Sequence, residues 1–193
     1  FGPTPEKRYS ADYQSGALSF EIFHEKEKLI TNCGYFQNYN HKLNILSKST
    51  AAHSTLSIDD RSSCKFKKDK LGYFTLENTM KISNKKVYHD DETWEIRGTH
   101  DGYLKEYGIL HERNIKFFTK EFKYIGEDII ICKKNFRKVG FDIRFHLLPD
   151  TNAIKTQDKQ SILLQLKKSG WKFTCNHKNF GVETGLYLSL IHI

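Results

Sequence analysis

The sequence predicts an all-β protein, an antiparallel β-sandwich (supersandwich) of many short strands. Three observations carry this. Segments rich in aromatic and β-branched residues, with 14 Phe and 10 Tyr in the 193-residue chain, recur at spacings of roughly 8–15 residues. Turn formers punctuate them at Asn32-Cys33-Gly34, Ser83-Asn84, Asp101-Gly102 and Ser169-Gly170. No stretch keeps a helical apolar period over three turns. The length suits one medium domain with its own core, and no internal repeat or interdomain linker is visible.

Taken in order, residues 1–15 carry Pro3, Pro5 and several charges and are expected to be irregular. Residues 17–23 alternate apolar and polar side chains, as a half-buried strand does. Residues 28–31 lead into the first turn. The polar, Asn-rich stretch 35–50 reads as a loop, and 51–58 as a strand ended by Asp59-Asp60. Further strands are expected at 73–77, 80–83, 92–99, 108–119, 127–133, 141–147, 161–167, 171–175 and 181–188. Domain boundaries are set at 1–187 for the sandwich. The remainder, 188–193, matches the translation of a transposon-end adapter used in sequencing libraries and is expected to be read-through. The chain opens on Phe1 with no visible signal peptide, so a processed product or a fragment is expected.

The net charge is +8, which favours acidic partners. The lysines are scattered, and the densest run, Lys65 to Lys70, reads as a solvated loop. No helix-turn-helix, RNP-like or zinc-finger pattern is present, so nucleic acid is not the expected partner. No apolar run approaches the roughly 20 residues that span a bilayer. Cys33, Cys64, Cys132 and Cys175 stand far apart without a CxxC, which argues against a structural zinc site.

Histidines beside other polar groups are the most informative local feature. His53 lies in Ala52-His53-Ser54-Thr55 and is suited to orienting an anion, moving a proton or binding a metal. His100 precedes Asp101-Gly102-Tyr103, where Asp101 could fix the imidazole tautomer and Tyr103 supply a phenol. His111 and Arg113 share a strand face with Ile109, Ile115 and Phe117, so partial burial and a partner such as Asp128 or Asp142 are expected. Asp142, Arg144 and His146 share another face. Paired Arg and His suit bidentate capture of a carboxylate or sulfate. A buried Arg–Asp network bracing the sandwich is the alternative reading, held equally. No nucleophile elbow or phosphate-binding Gly-rich loop appears, and the adjacent pairs Asp59-Asp60 and Asp90-Asp91 do not form a glycosidase pair.

At Ser15-Gly16-Ala17-Leu18-Ser19-Phe20-Glu21, Asn32-Cys33-Gly34, Ala51-Ala52-His53-Ser54-Thr55-Leu56, Asp101-Gly102-Tyr103-Leu104 and Phe141-Asp142-Ile143-Arg144-Phe145-His146-Leu147 the chain resembles the heparinase II/III-like C-terminal domain, in its alphaproteobacterial form. Gly170-Trp171-Lys172-Phe173 continues the likeness, which covers roughly residues 10–188. The resemblance implies a larger parent, with an N-terminal α/α toroid before this sandwich, in the cell envelope or periplasm. It implies a polysaccharide lyase acting on uronate-containing, acidic polysaccharide by β-elimination, with a Tyr and a His from the toroid as acid and base. A sheet-domain histidine, here His53, assists as the catalytic candidate. Arg144, His146, His111, Arg113, His100 and Tyr103 are the substrate-binding candidates. Some relatives hold zinc through a His-rich motif, an Asp before Gly and a strand His. Only His53 matches that set, with Gln14 and Asn32 at the other positions, so no metal or other cofactor is expected. A non-catalytic glycan-binding or envelope-structural sandwich is the alternative function, and the isolated fragment is expected to be inactive.

Overall fold

The computed structural model describes residues 2–133, 135–149 and 151–188. The strands are β1 (Ile22–His24), β2 (Glu27–Ile30), β3 (Leu56–Ile58), β4 (Phe66–Lys68), β5 (Phe74–Leu76), β6 (Ile82–His89), β7 (Thr93–His100), β8 (Ile109–Phe118), β9 (Lys123–Cys132), β10 (Phe141–Ile143), β11 (Asn152–Lys155), β12 (Ser161–Gln165) and β13 (Gly170–Thr174). Two short helices, α1 (Lys42–Lys48) and α2 (Leu104–Tyr107), interrupt them. The fold is all-β, and every strand pairing among the described residues is antiparallel. A four-stranded meander, β6-β7-β8-β9, and a three-stranded one, β11-β12-β13, are joined by the hairpins β1-β2 and β4-β5 and by β3 paired with β10.

Strand β8 shows why this sequence makes a sheet. Its alternation sends Ile109, His111, Arg113 and Ile115 to one face, and all four are buried. Along β7, His100 stands opposite His111, and along β9 Asp128 stands opposite Arg113. Three apolar clusters form the core. Ile22, Leu29, Ile30, Ile162 and Leu164 pack between the first hairpin and β12, with Trp171 and Phe173 against them. Leu56, Ile58, Tyr103, Tyr107 and Ile109 gather beneath β3 and β8. Ala17, Cys64, Leu76 and Met80 close the end near β4 and β5.

Several elements depart from expectation for identifiable reasons. Within the expected loop 35–50, α1 forms, with His41 Nδ1 accepting from the Leu43 N–H at 3.2 Å as its cap. Its inward residues are Asn44, Ser47 and Lys48, so the helix carries no apolar period to read. Residues 50–52 form a turn of 3-10 helix, so only the end of the expected 51–58 strand is extended. Strand β6 runs past its expected end at 83 because it is a solvated edge with a bulge at Ser83/Lys86, and its residues after Ile82 are exposed on both faces. The basic stretch 65–70 contains β4, whose Lys67 and Lys68 are exposed. β11 forms at a place given no strand, and 181–188 forms none. Leu188 is nonetheless buried, and its N–H bonds the Cys33 carbonyl. Residues 189–193, most of the segment assigned to read-through, lie outside the described residues.

Gly108 ends α2 with φ +69°, and a Cβ there would come within 2.9 Å of the Phe136 backbone. Only glycine satisfies both conditions.

Candidate functional site

His53 follows the 3-10 turn and precedes β3. The Ser49 carbonyl lies 2.8 Å from its Nδ1 and the Gln14 side-chain amide 3.0 Å from its Nε2. A carbonyl only accepts, so Nδ1 carries a hydrogen. Burial lowers the pKa of the ring and a neighbouring His146 adds to the effect, so the neutral form dominates and Nε2 holds the lone pair. The structure sets Gln14 Oε1 toward Nε2; beside a neutral ring the amide is assigned the exchanged orientation, a half-turn that leaves its shape unchanged and lets the NH2 donate to that lone pair.

The ring packs closely against Gly16. A Cβ on Gly16 would sit 2.5 Å from His53 Cδ2 and 2.9 Å from Ser19 Oγ. Gln14 and Gly16 also line a cavity of about 340 Å³, with Pro3, Tyr13, Ser19 and Ile82 among others. Among the described residues its polar side chains are an amide, a hydroxyl and a phenol, with none charged. Burial raises the Tyr13 pKa, so the phenol stays protonated.

The residues at the three zinc positions are His53, Gln14 and Asn32. Asn32 Oδ1 accepts the Ser54 N–H at 2.9 Å, and its NH2 approaches Glu21. The His53 lone pair already faces Gln14. Two neutral amides and one occupied imidazole do not fit zinc, which takes thiolate, free imidazole or carboxylate.

His146 neighbours His53. Its Nε2–H donates to the Ala51 carbonyl at 2.9 Å, so Nδ1 accepts from the Cys33 thiol at 3.2 Å. Burial pushes the Cys33 pKa up to about 11, which keeps it a thiol and a poor nucleophile. Arg144 is half-buried at the surface. It donates to Ser57 Oγ at 2.5 Å and meets Asp60 at 3.3 Å and Asp142 at 3.5 Å. Two carboxylates thus offset its charge.

His100, His111, Arg113 and Tyr103 are interior residues, each 1% exposed or less. The Gly102 N–H donates to His100 Nδ1 at 3.1 Å, which makes Nε2 the protonated nitrogen. That hydrogen goes to His111 Nδ1 at 3.0 Å, and His111 Nε2–H goes to Asp128 Oδ1 at 2.6 Å. Arg113 holds the same carboxylate bidentately, Nε to Oδ1 at 2.7 Å and Nη2 to Oδ2 at 3.0 Å. The tautomer is set by the Gly102 amide; Asp101, the expected partner, instead accepts from the Lys81 N–H. Tyr103 donates to the carbonyls of Arg61 and Leu56. His100, His111 and Arg113 brace β7, β8 and β9 within one sheet, and Tyr103 ties the start of α2 to β3.

The predicted residues therefore divide into His53 with its neighbour His146, a buried chain at His100, His111 and Arg113 with Tyr103 beside it, and Arg144 apart from both. Sequence reasoning placed Gln14 near His53. It missed the Cys33–His146 pair and the Gly102 amide, which no local pattern announces.

The profile of the family described as "Heparinase II/III-like, C-terminal" matches residues 1–192. The chain is similar to FtsZ-localized protein C of Caulobacter vibrioides (strain NA1000 / CB15N), with 29% identity over 185 residues. That alignment covers 88% of this chain and 31% of the curated relative's length. No solved structure matches.

Proposed function

This chain belongs to the heparinase II/III-like C-terminal family, and from that premise we propose that it is the sheet domain of a polysaccharide lyase-like protein of the cell envelope or periplasm. Its ligand is an acidic, uronate-containing polysaccharide, and its structural partner is an N-terminal α/α toroid of the same parent. The observation that carries this reading is Gln14, which lines a cavity of about 340 Å³ and meets the buried His53.

β-Elimination removes the proton α to the uronate carboxylate and builds negative charge on that group. Donors that do not themselves need a counter-charge stabilise it. Gln14, Ser19 and Tyr13 offer such donors. When Gln14 turns to a ligand, His53 Nε2 is left with its lone pair free, in the tautomer fixed by Ser49, and is able to accept a proton. The principal acid and base belong to the toroid in this reading, so the domain alone binds without turning over.

A second reading is a glycan-binding or envelope-structural domain without catalysis. The capped Nε2 of His53 favours it, and the name of the Caulobacter relative specifies localisation with FtsZ and no reaction. Titration of the protein with uronate and with neutral oligosaccharides tests recognition. Selective uronate binding that weakens with salt and in Gln14→Ala supports the site; equal binding of neutral sugars, or no effect of Gln14→Ala, refutes it. Formation of an unsaturated uronate on joining the toroid separates lyase from binder.

A further inference from the structure

We propose that Arg113 is a positioning residue for the His53–Gln14 site, acting through the two backbone segments that carry it. The inference rests on the reading of that cavity as the ligand site. Arg113 Nη1 donates to the Ser54 carbonyl at 2.7 Å and to the Leu18 carbonyl at 3.1 Å. Ser54 follows His53 directly. Leu18 lines the cavity together with Gly16 and Ser19.

Leu18 has φ +56° and is 2% exposed. A leucine enters this left-handed region only when its surroundings hold it there. Three contacts do so. The Ser19 N–H closes a turn on the Gly16 carbonyl, Thr55 Oγ1 donates to the Ala17 carbonyl at 2.6 Å, and Arg113 grips the carbonyl of Leu18 itself. The turn that shapes the cavity wall and the segment bearing His53 are thus fastened to one guanidinium.

That guanidinium has little freedom. Asp128 holds it by two bonds, and its carbon lies 5.3 Å from the centre of the Phe20 ring and 5.9 Å from that of Phe145. His111 donates to the same Asp128 oxygen and fixes the carboxylate in turn. A planar fork reaches one carboxylate and two carbonyls at once; an ammonium does not. The link runs from the four-stranded sheet to the cavity wall, and Arg113 itself is not among the cavity-lining residues.

The test is Arg113→Lys in the full chain, which retains the charge opposite Asp128. The readouts are the His53 imidazole nitrogen resonances across a pH titration, the affinity for a uronate oligosaccharide, and the thermal midpoint. We expect a folded variant with a lower thermal midpoint, His53 resonances displaced from the Nδ1–H pattern, and affinity weakened about tenfold or more, as misplacement of a site group produces. A lower midpoint with His53 resonances and affinity unmoved overturns the proposal and leaves Arg113 a core brace. If the parent protein binds no uronate while the His53 resonances still respond to Arg113→Lys, positioning stands and the glycan reading falls. Should Arg113→Lys fail to fold, Asp128→Glu displaces the same guanidinium with its charge balance intact and is judged by the same His53 readout.

Discussion

His100 and His111 face each other across β7 and β8 with their rings perpendicular, centroids 5.1 Å apart, and a single hydrogen between Nε2 of the first and Nδ1 of the second. Both rings are neutral in this arrangement. The Gly102 amide behind one and the Asp128 carboxylate behind the other leave no room for a further proton without loss of a hydrogen bond.

Acid should therefore weaken the fold. Burial lowers the pKa of His100, His111, His53 and His146 below the ordinary 6.5. The unfolded chain then binds more protons than the folded one once pH drops through 6.5, so stability is complete above that value and falls as pH descends toward the folded pKa values. Asp128, also lowered, adds a further loss in the carboxylate range. Urea denaturation at a series of pH values should show a declining unfolding free energy from about pH 7 to 5. A flat profile there would contradict the neutral pair.

Asp128→Asn should be one of the more damaging single changes. It strips the counter-charge from Arg113, which is 1% exposed, and sets an amide NH2 against one of the donors that the carboxylate now accepts. Leaving a buried charge unpaired costs about 3–5 kcal/mol. Chemical denaturation of the variant measures this directly, and a loss below about 1 kcal/mol would show that water relieves the guanidinium.

At Gly16 the expected defect is local. Alanine there places a methyl on the His53 ring and on Ser19 Oγ. Overpacking of this kind costs about 1–3 kcal/mol. The His53–Gln14 bond should break as the ring tilts, and uronate affinity should fall further than stability alone explains. Imidazole nitrogen shifts identical to those of the parent would refute the contact.

Arg144→Ala should do little. Its salt bridges to Asp60 and Asp142 are solvent-exposed, and exposed pairs are worth about 0–1 kcal/mol. With two carboxylates beside it, Arg144 is also a weak anion trap. An intact fold with unchanged uronate affinity is expected; a large drop in affinity would return Arg144 to the ligand-binding set.

Much of the architecture was legible because strand signals are local. The alternation of Ile109, His111, Arg113, Ile115 and Phe117 marked β8 and predicted the burial of its polar members, with Asp128 as one of two partners considered. Where side chains on the inward face are polar, as in α1 with Asn44, Ser47 and Lys48, periodicity is silent and the helix was missed. Where both faces are wet, as in β6, alternation is absent and the strand was cut short.

Taken alone, the chain determined the all-β class, the family resemblance and the list of residues able to do chemistry, since these depend on residue type and near-neighbour spacing. Tertiary structure decided what each does. Cys33 meets His146 across 113 positions, and Arg113 reaches back 95 to grip Leu18. Such pairings arise only when strands distant in sequence stack, because a hydrogen bond is set by distance and direction in space. For that reason the same histidine and arginine types became a buried partner of the cavity residue Gln14 at His53, a buried brace at His111 and Arg113, and a compensated surface charge at Arg144.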